Sequence, residues 1–132
     1  MKKIMIIVLF SFVLMLSSCK IRDMAEKYDD EDYITSNFTQ TVWIGKIETP
    51  SKVSFRSFSG SDLLTTIASN KSATITIDRE ITEGRFKVVL ITHNDQIIEL
   101  EDGTYYHQGT SSSARLKILG DNARGWYKIK IE

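Results

Sequence analysis

Two stretches, SATITID at Ser72–Asp78 and RFKVVLIT at Arg85–Thr92, decide the fold class of this chain. In the first, apolar side chains alternate with polar ones: Ala73, Ile75 and Ile77 against Thr74, Thr76 and Asp78. In the second, Phe86, Val88 and Leu90 share one face, behind a turn at Glu83–Gly84. A period of two residues is typical of a strand with one buried face, so both stretches are predicted strands.

Other segments after Phe38 have the same character: Thr41–Glu48, Lys52–Phe55, Gln96–Leu100, Thr104–His107, Ala114–Leu119 and Trp126–Ile131. The last two are predicted to form a hairpin across Gly120–Gly125, and Thr104–His107 is predicted to lie at an edge. Ser61–Ser69 is the one candidate helix, but its β-branched residues favour a strand. We therefore predict an all-β domain, an antiparallel β-sandwich or small barrel of about 7–9 short strands.

The charge balance argues against nucleic-acid binding. The 132 residues contain 17 Lys and Arg and 17 Asp and Glu, a formal net charge of zero. The basic residues are also scattered, with no run of them after Lys2 and Lys3. Since nucleic-acid binding depends on a concentrated basic surface, we do not expect a nucleic-acid partner.

The first eighteen residues have the layout of a secretory signal peptide. A basic start, Lys2 and Lys3, precedes the run Ile4–Leu16, in which Ser11 is the sole polar residue. This run is shorter than the roughly 20 residues that a membrane-spanning helix needs. A basic start, a short apolar run and small residues after it indicate export.

The four residues Leu16-Ser17-Ser18-Cys19 end this apolar run. They resemble the lipobox of bacterial lipoproteins, Leu-[Ala/Ser]-[Gly/Ala]-Cys, from which only Ser18 departs. The resemblance implies a diacylglyceryl group on the Cys19 sulfur, cleavage between Ser18 and Cys19, and attachment to a bacterial membrane at the cell surface or the periplasmic face. In general layout the domain also resembles the small Ig-like or jelly-roll sandwiches of many bacterial lipoproteins.

Cys19 is the one cysteine of the chain, which bears on the alternatives to lipidation. A single cysteine cannot form an intramolecular disulfide, and a catalytic thiol needs a histidine nearby. His93 and His107 lie far along the chain. We therefore expect Cys19 to be a lipid attachment point, with the membrane as the partner of the acyl chains.

Residues 19–39 are predicted to form a lipidated N-terminus and an acidic tether. Apolar residues are sparse there, and the centre is the acidic run Asp29–Asp32. Such a composition is typical of a flexible linker, although a short helix around Ile21–Tyr28 is left open. The predicted division is residues 1–18 as signal peptide, 19–39 as tether and 40–132 as the β-sandwich domain.

Motifs for catalysis, cofactors and metals are missing from the sequence. His93 and His107, with Asp95, are a candidate transition-metal set, but both histidines stand beside turn residues where exposed histidines are common. We predict no catalytic residue, no metal and no cofactor, hence a non-enzymatic protein. The alternative is a cell-envelope enzyme or enzyme accessory of the hydrolase type, for which a cleft with both histidines and an acid would argue.

Aromatic residues are the candidate contacts for a partner. Trp126 alternates to the face of Lys128 and Lys130, and Tyr105 and Tyr106 precede the loop QGTSSS. Exposed Trp and Tyr rings stack on sugars or anchor proteins. Trp43 is expected in the core instead, and Trp126 has structural alternatives: closing the end of the sandwich or pairing with Leu119. The resulting hypothesis is a binding module for a protein or polysaccharide partner.

Overall fold

A computed structural model of the chain describes residues 24–37 and 40–132. Residues 24–27 are helical, and one short helix and seven strands follow: α1 (Glu31–Thr35), β1 (Thr41–Ile44), β2 (Ile47–Glu48), β3 (Val53–Ile67), β4 (Ala73–Ile91), β5 (Ile97–Leu100), β6 (Gly103–His107) and β7 (Ala114–Ile131). A single turn of 3-10 helix, His93–Asp95, joins β4 to β5. None of the helices among these residues is long and apolar enough to cross a bilayer.

The strands form one antiparallel sheet in the order β1-β3-β7-β4-β5. β2 pairs with β3 next to β1, and β6 pairs with β4 next to β5. Both edges of the sheet are therefore made of two short strands, while three long strands form its middle. The predicted all-β antiparallel fold class is confirmed.

The sheet is bent, so that its two halves enclose one core. Tyr127 on β7 lies opposite Arg79 on β4. Phe86 is seven residues further along β4, which on a straight strand would place it about 23 Å away. Yet the rings of Phe86 and Tyr127 stack with their centroids 5.6 Å apart. The same core contains Ile75 from the first half of β4 and Leu90 from the second. The halves thus face each other as the layers of a sandwich do.

Breaks in the pairing register mark the bends. The β4–β7 register shifts between Ile81 and Arg85, and the β3–β7 register shifts around Phe58. Gly125 lies at this level of β7 with a φ of +152°, and a β-carbon there would overlap the carbonyl oxygen of Glu80. Glycine is required where backbones approach this closely. Bulges of this kind turn a strand without ending it.

The strands are longer than predicted, and the predicted hairpin is wrong. Ala114–Leu119 and Trp126–Ile131 belong to the single strand β7, because the cluster Gly120–Gly125 bends the strand instead of reversing it. Ser72–Asp78 and Arg85–Thr92 likewise fall largely within β4. Ser61–Ser69 was predicted to be a strand rather than a helix, and this is confirmed as far as Ile67, where β3 ends. The edge position of Thr104–His107 is also confirmed.

Residues 24–37, assigned above to a flexible tether, instead pack on the sheet. Their buried side chains Tyr28 and Ile34 form a second apolar cluster with Val89, Ile91 and Leu119. Asp30 caps α1 by accepting a hydrogen bond from the Asp32 amide. We call residues 24–37 the N-terminal cover. The tether prediction is wrong for this segment because its few apolar residues meet a matching apolar strip on the outer face of the sheet.

Candidate functional site

Trp126 lies half-buried on the outer face of the sheet, the face turned away from the main core. Its register partners are Ser54 on β3 and Glu80 on β4, and Ile47 pairs with Ser54 in turn. Lys52 places its ammonium group 5.2 Å from the centroid of the Trp126 ring. The predicted pairing with Leu119 is wrong, because β7 does not fold back on itself. An indole next to a cation on this face remains a candidate contact.

β7 extends beyond the start of β3, which leaves a groove beside it. The pairing of these strands ends at Val53 opposite Tyr127, whereas β7 continues along β4 to Ile131. Within residues 24–37 and 40–132, no strand pairs with the other edge of this last part of β7. Between that edge and the turn at residues 49–52 lies a space of about 550 Å³, which we call the edge groove.

The edge groove is lined by cations, hydroxyl groups and an apolar floor. Lys52, Lys128 and Lys130 border it, together with Thr49, Pro50, Ser51, Val53, Tyr127 and Ile129. Lys130 is paired with Glu132 at 2.7 Å. Burial raises the pKa of the Tyr127 phenol to about 12, so this floor residue is neutral at physiological pH. The groove therefore offers a free strand edge with positively charged borders.

The two tyrosines predicted with Trp126 do not join it. Tyr105 pairs with Ile75 and packs against the main core, whereas Tyr106 points to the other face and is 62% exposed. Tyr106 lies opposite Thr74 on β4, and Trp126 lies opposite Glu80 on the same strand. The six residues between Thr74 and Glu80 correspond to about 20 Å of strand, so the two aromatic residues are far apart. The predicted aromatic contacts therefore form no single site. Trp43 packs against the core as expected, stacked on Phe58 with centroids 4.1 Å apart.

The two histidines are in different environments. His107 is buried at the end of β6, while His93 is exposed in the turn after β4. Among the residues that the structure describes, no three His, Cys, Asp or Glu side chains form a group that could hold a metal ion. The candidate metal set of the sequence is therefore not assembled there.

His93 does contact a hydroxyl group in a small polar cleft. Its Nδ1 lies 2.8 Å from the Oγ of Ser112, and Asp95 and Arg115 line the same cleft. Arg115 donates to the Asp95 carboxylate at 3.3 Å. A histidine beside a serine is the first element of a hydrolytic pair, but here the nearby acid, Asp95, is paired with Arg115.

Four cations in a row bind the N-terminal cover. They are Arg85 and Lys87 on β4 and Arg115 and Lys117 on β7. Sequence reasoning missed this row. Lys87, 6% exposed, donates to Asp29 at 2.9 Å, and Arg85 donates to the same carboxylate at 3.2 Å. The hydrogen bond from Lys87 is the main cause of the lowered pKa of Asp29. Both cations also lie over the Tyr28 ring, at 4.3 Å for Arg85 and 4.2 Å for Lys87.

The other two cations hold the end of the cover. Lys117 is 1% exposed and donates from Nζ to the carbonyls of Ile34 and Ser36. Arg115 donates to the Thr35 carbonyl at 2.9 Å and to Asn37 at 3.0 Å. Burial, followed by the charge of Arg115, lowers the pKa of Lys117. These bonds satisfy carbonyls that the last turn of a helix leaves without partners.

A sequence signal for the cation row did exist. Lys87 and Lys117 each interrupt an otherwise apolar strand, and the acidic run Asp29–Asp32 supplies the opposite charge. A lysine at such a position needs a partner, because an unpaired buried charge is costly. Cys19 lies outside the described residues.

Comparison with protein-family models, with curated proteins and with solved structures gives no match for this chain.

Proposed function

We propose that this chain is a bacterial lipoprotein, anchored to a membrane through Cys19, whose β domain is a non-enzymatic binding module. The anchor is supported by the sequence Leu16-Ser17-Ser18-Cys19 behind its apolar run. The binding role is supported by the edge groove, above all by the edge of β7 that no described strand covers.

The groove fits an extended, acidic polypeptide segment best. A free strand edge binds a partner by adding a strand, with backbone hydrogen bonds supplying affinity. Lys52 and Lys128 at its borders favour negative charge, and Trp126 adds an apolar surface beside Lys52. A polysaccharide would use the aromatic ring and the cations but not the strand edge.

Binding is tested with two fluorescent probes, an alternating Thr-Glu peptide and polygalacturonate, titrated by anisotropy. We expect the peptide to bind and the double variant Lys52→Glu, Lys128→Glu to weaken it about tenfold or more. Lys71→Glu is the matched control, because Lys71 is exposed and does not line the groove. Binding of polygalacturonate alone would contradict strand addition, and binding of neither probe would contradict the groove as the site.

The anchor is tested separately in bacteria grown with a labelled fatty acid. Wild-type protein should incorporate the label, and Cys19→Ala should lose both label and lipoprotein-type processing. Label that persists in Cys19→Ala would show that the acyl group is attached elsewhere.

The hydrolase alternative rests on the contact between His93 and Ser112. An active serine of this kind reacts covalently with a fluorophosphonate probe, and Ser112→Ala would abolish the reaction. We expect no labelling, because Asp95, the acid that lines this cleft, is paired with Arg115. Labelling of wild type that Ser112→Ala removes would favour the enzyme over the binding module.

A further inference from the structure

We infer that one edge of the domain, the exposed aliphatic side chains of β1 and β2, rests on the bilayer to which Cys19 is attached. This inference builds on the proposed lipidation. We call Val42, Ile44 and Ile47 the β1–β2 patch. They are exposed by 56%, 51% and 61% respectively, more than any other aliphatic side chain among the exposed large apolar residues that the structure describes.

The patch is continuous across the outer face. Val42, Ile44 and Ile47 are opposite Ser59, Ser57 and Ser54 on β3. Paired residues on neighbouring strands project to the same face, and serine side chains are too short to cover aliphatic ones. The three apolar side chains therefore stand above a surface of small residues along one edge of the sheet.

The connection to the anchor ends beside this patch. Met24, the first residue of the N-terminal cover, lines a cleft with Val42, Ser59 and Gly60. Only five residue steps separate it from Cys19, and a chain of that length spans at most about 18 Å when fully extended. A lipidated Cys19 would thus keep Met24 within this distance of the membrane surface, and Val42 lines the same cleft as Met24. The packed cover leaves no long tether to lift the domain away.

The charges around the patch suit a lipid headgroup layer. Lys46 lies between Ile44 and Ile47 in the chain, with its Nζ 2.8 Å from Glu48 and 4.4 Å from the Trp43 ring centroid. Arg56 is exposed on the neighbouring strand. Protein surfaces that lie on membranes combine aliphatic side chains, which enter the membrane–water interface, with Lys and Arg side chains around them.

The test uses the full chain, lipidated in bacteria and reconstituted into vesicles of phosphatidylethanolamine and phosphatidylglycerol. Because the Cys19 thiol carries lipid, Ile44→Cys introduces a single reactive thiol for an environment-sensitive fluorophore. Thr104→Cys is the matched control, an exposed position on β6 at the opposite edge of the sheet. We expect lipids spin-labelled near the headgroup to quench the probe at position 44 several-fold more than at position 104. Val42→Cys should repeat the result of Ile44→Cys.

The outcomes separate this inference from the anchor. If the vesicles carry the protein in flotation but both probes are quenched equally, the anchor stands and the patch inference is wrong. If the probe at position 44 is shielded from water without quenching by lipid, a second protein copy covers the patch, and the inference is again wrong. If the protein does not float with the vesicles, the proposed anchor fails and the inference fails with it.

Discussion

Lys117, in the middle of the sheet, donates a hydrogen bond of 3.1 Å to the backbone carbonyl of Ile34 in α1. A second bond from the same ammonium group reaches Ser36. A buried lysine here therefore acts as the C-terminal cap of a helix that is only five residues long. The N-terminal cover depends on the sheet for its carbonyl partners as well as for its apolar contacts.

Replacing Lys117 by Met should destabilise the protein. The new side chain keeps the packing but removes the hydrogen bonds that Nζ donates to the carbonyls of Ile34 and Ser36, a loss that costs about 1–3 kcal/mol of unfolding free energy. Urea unfolding measures this loss. Lys128→Met, on an exposed side chain, is the control. Unchanged stability of Lys117→Met would mean that an apolar residue serves this position as well as the cation does.

Losing the Asp29 carboxylate should loosen the cover. Asp29→Asn weakens the bonds to Lys87 and Arg85, and we expect amide exchange in residues 24–37 to become roughly threefold to tenfold faster, as for a partly exposed ion pair. Hydrogen-exchange mass spectrometry is the measurement. Asp32→Asn, which changes an exposed carboxylate of α1, should exchange like wild type. Equal rates in both variants would contradict the role of Asp29.

Acid should release the cover through the same residue. The pKa of Asp29 is lowered from its ordinary 3.8, chiefly by the Lys87 hydrogen bond. A lowered pKa means that the stabilisation is complete above the ordinary value and is lost as the pH falls through the folded one. Exchange in residues 24–37, corrected for its intrinsic pH dependence, should therefore accelerate below pH 3.8. Asp29→Asn should lack this step, and a step that survives the substitution would assign it to another group.

Alkali should destabilise the protein through Tyr28. Burial, with a smaller contribution from the charge of Glu99, raises the Tyr28 pKa from 10.0 to about 12. Between these values the unfolded chain gives up a proton that the folded chain keeps, so stability falls as the pH rises, by at most about 2–3 kcal/mol.

Tyr28→Phe tests this directly in urea unfolding at pH 9 and pH 11. The variant should lose less stability than wild type between the two conditions. Tyr106→Phe, at an exposed ring, should retain the wild-type loss. A Tyr28→Phe protein with the full loss would place the alkaline sensitivity elsewhere, first of all at Tyr127, whose pKa burial also raises to about 12.

The bend in β7 should depend on Gly125. Gly125→Ala and Gly103→Ala both place a side chain at positive φ, at +152° and +119°. Only at Gly125 does the β-carbon meet backbone, that of Glu80, while nothing lies within 4 Å at Gly103. Gly125→Ala should therefore be less stable than Gly103→Ala by about 1–3 kcal/mol. Equal melting temperatures would show that the strand relaxes at no cost.

Local patterns were enough to predict the strands, but not where they continue. Alternation over Ser72–Asp78 and over Arg85–Thr92 is visible in the sequence, yet a glycine between two strand patterns is compatible with either a turn or a bulge. Gly84 and Gly125 belong to bulges because backbone from a distant strand passes against them. That approach is a tertiary fact, which neighbouring residues do not encode.

The N-terminal cover was missed for a related reason. Residues 24–37 are too polar to form a core of their own, and their apolar residues follow no period. They are ordered because Val89, Ile91 and Leu119 face outward from strands that appeared to need only one buried face. For the aromatic residues, alternation correctly placed Trp126 with Lys128, but the separation of Tyr105 from Tyr106 follows from the same period of two and could have been predicted.

The central position of β7 has a consequence for how the chain acquires its structure. β3 and β4 do not pair with each other; each pairs along most of its length with β7. Until residues 114–131 have been synthesised, both long strands lack their main partner and the core cannot close. Folding must then wait for contacts of high sequence separation, which form slowly. Such a delay keeps a nascent chain unfolded for longer, and an unfolded chain can pass through a narrow export channel, so the topology is suited to the proposed route to the membrane.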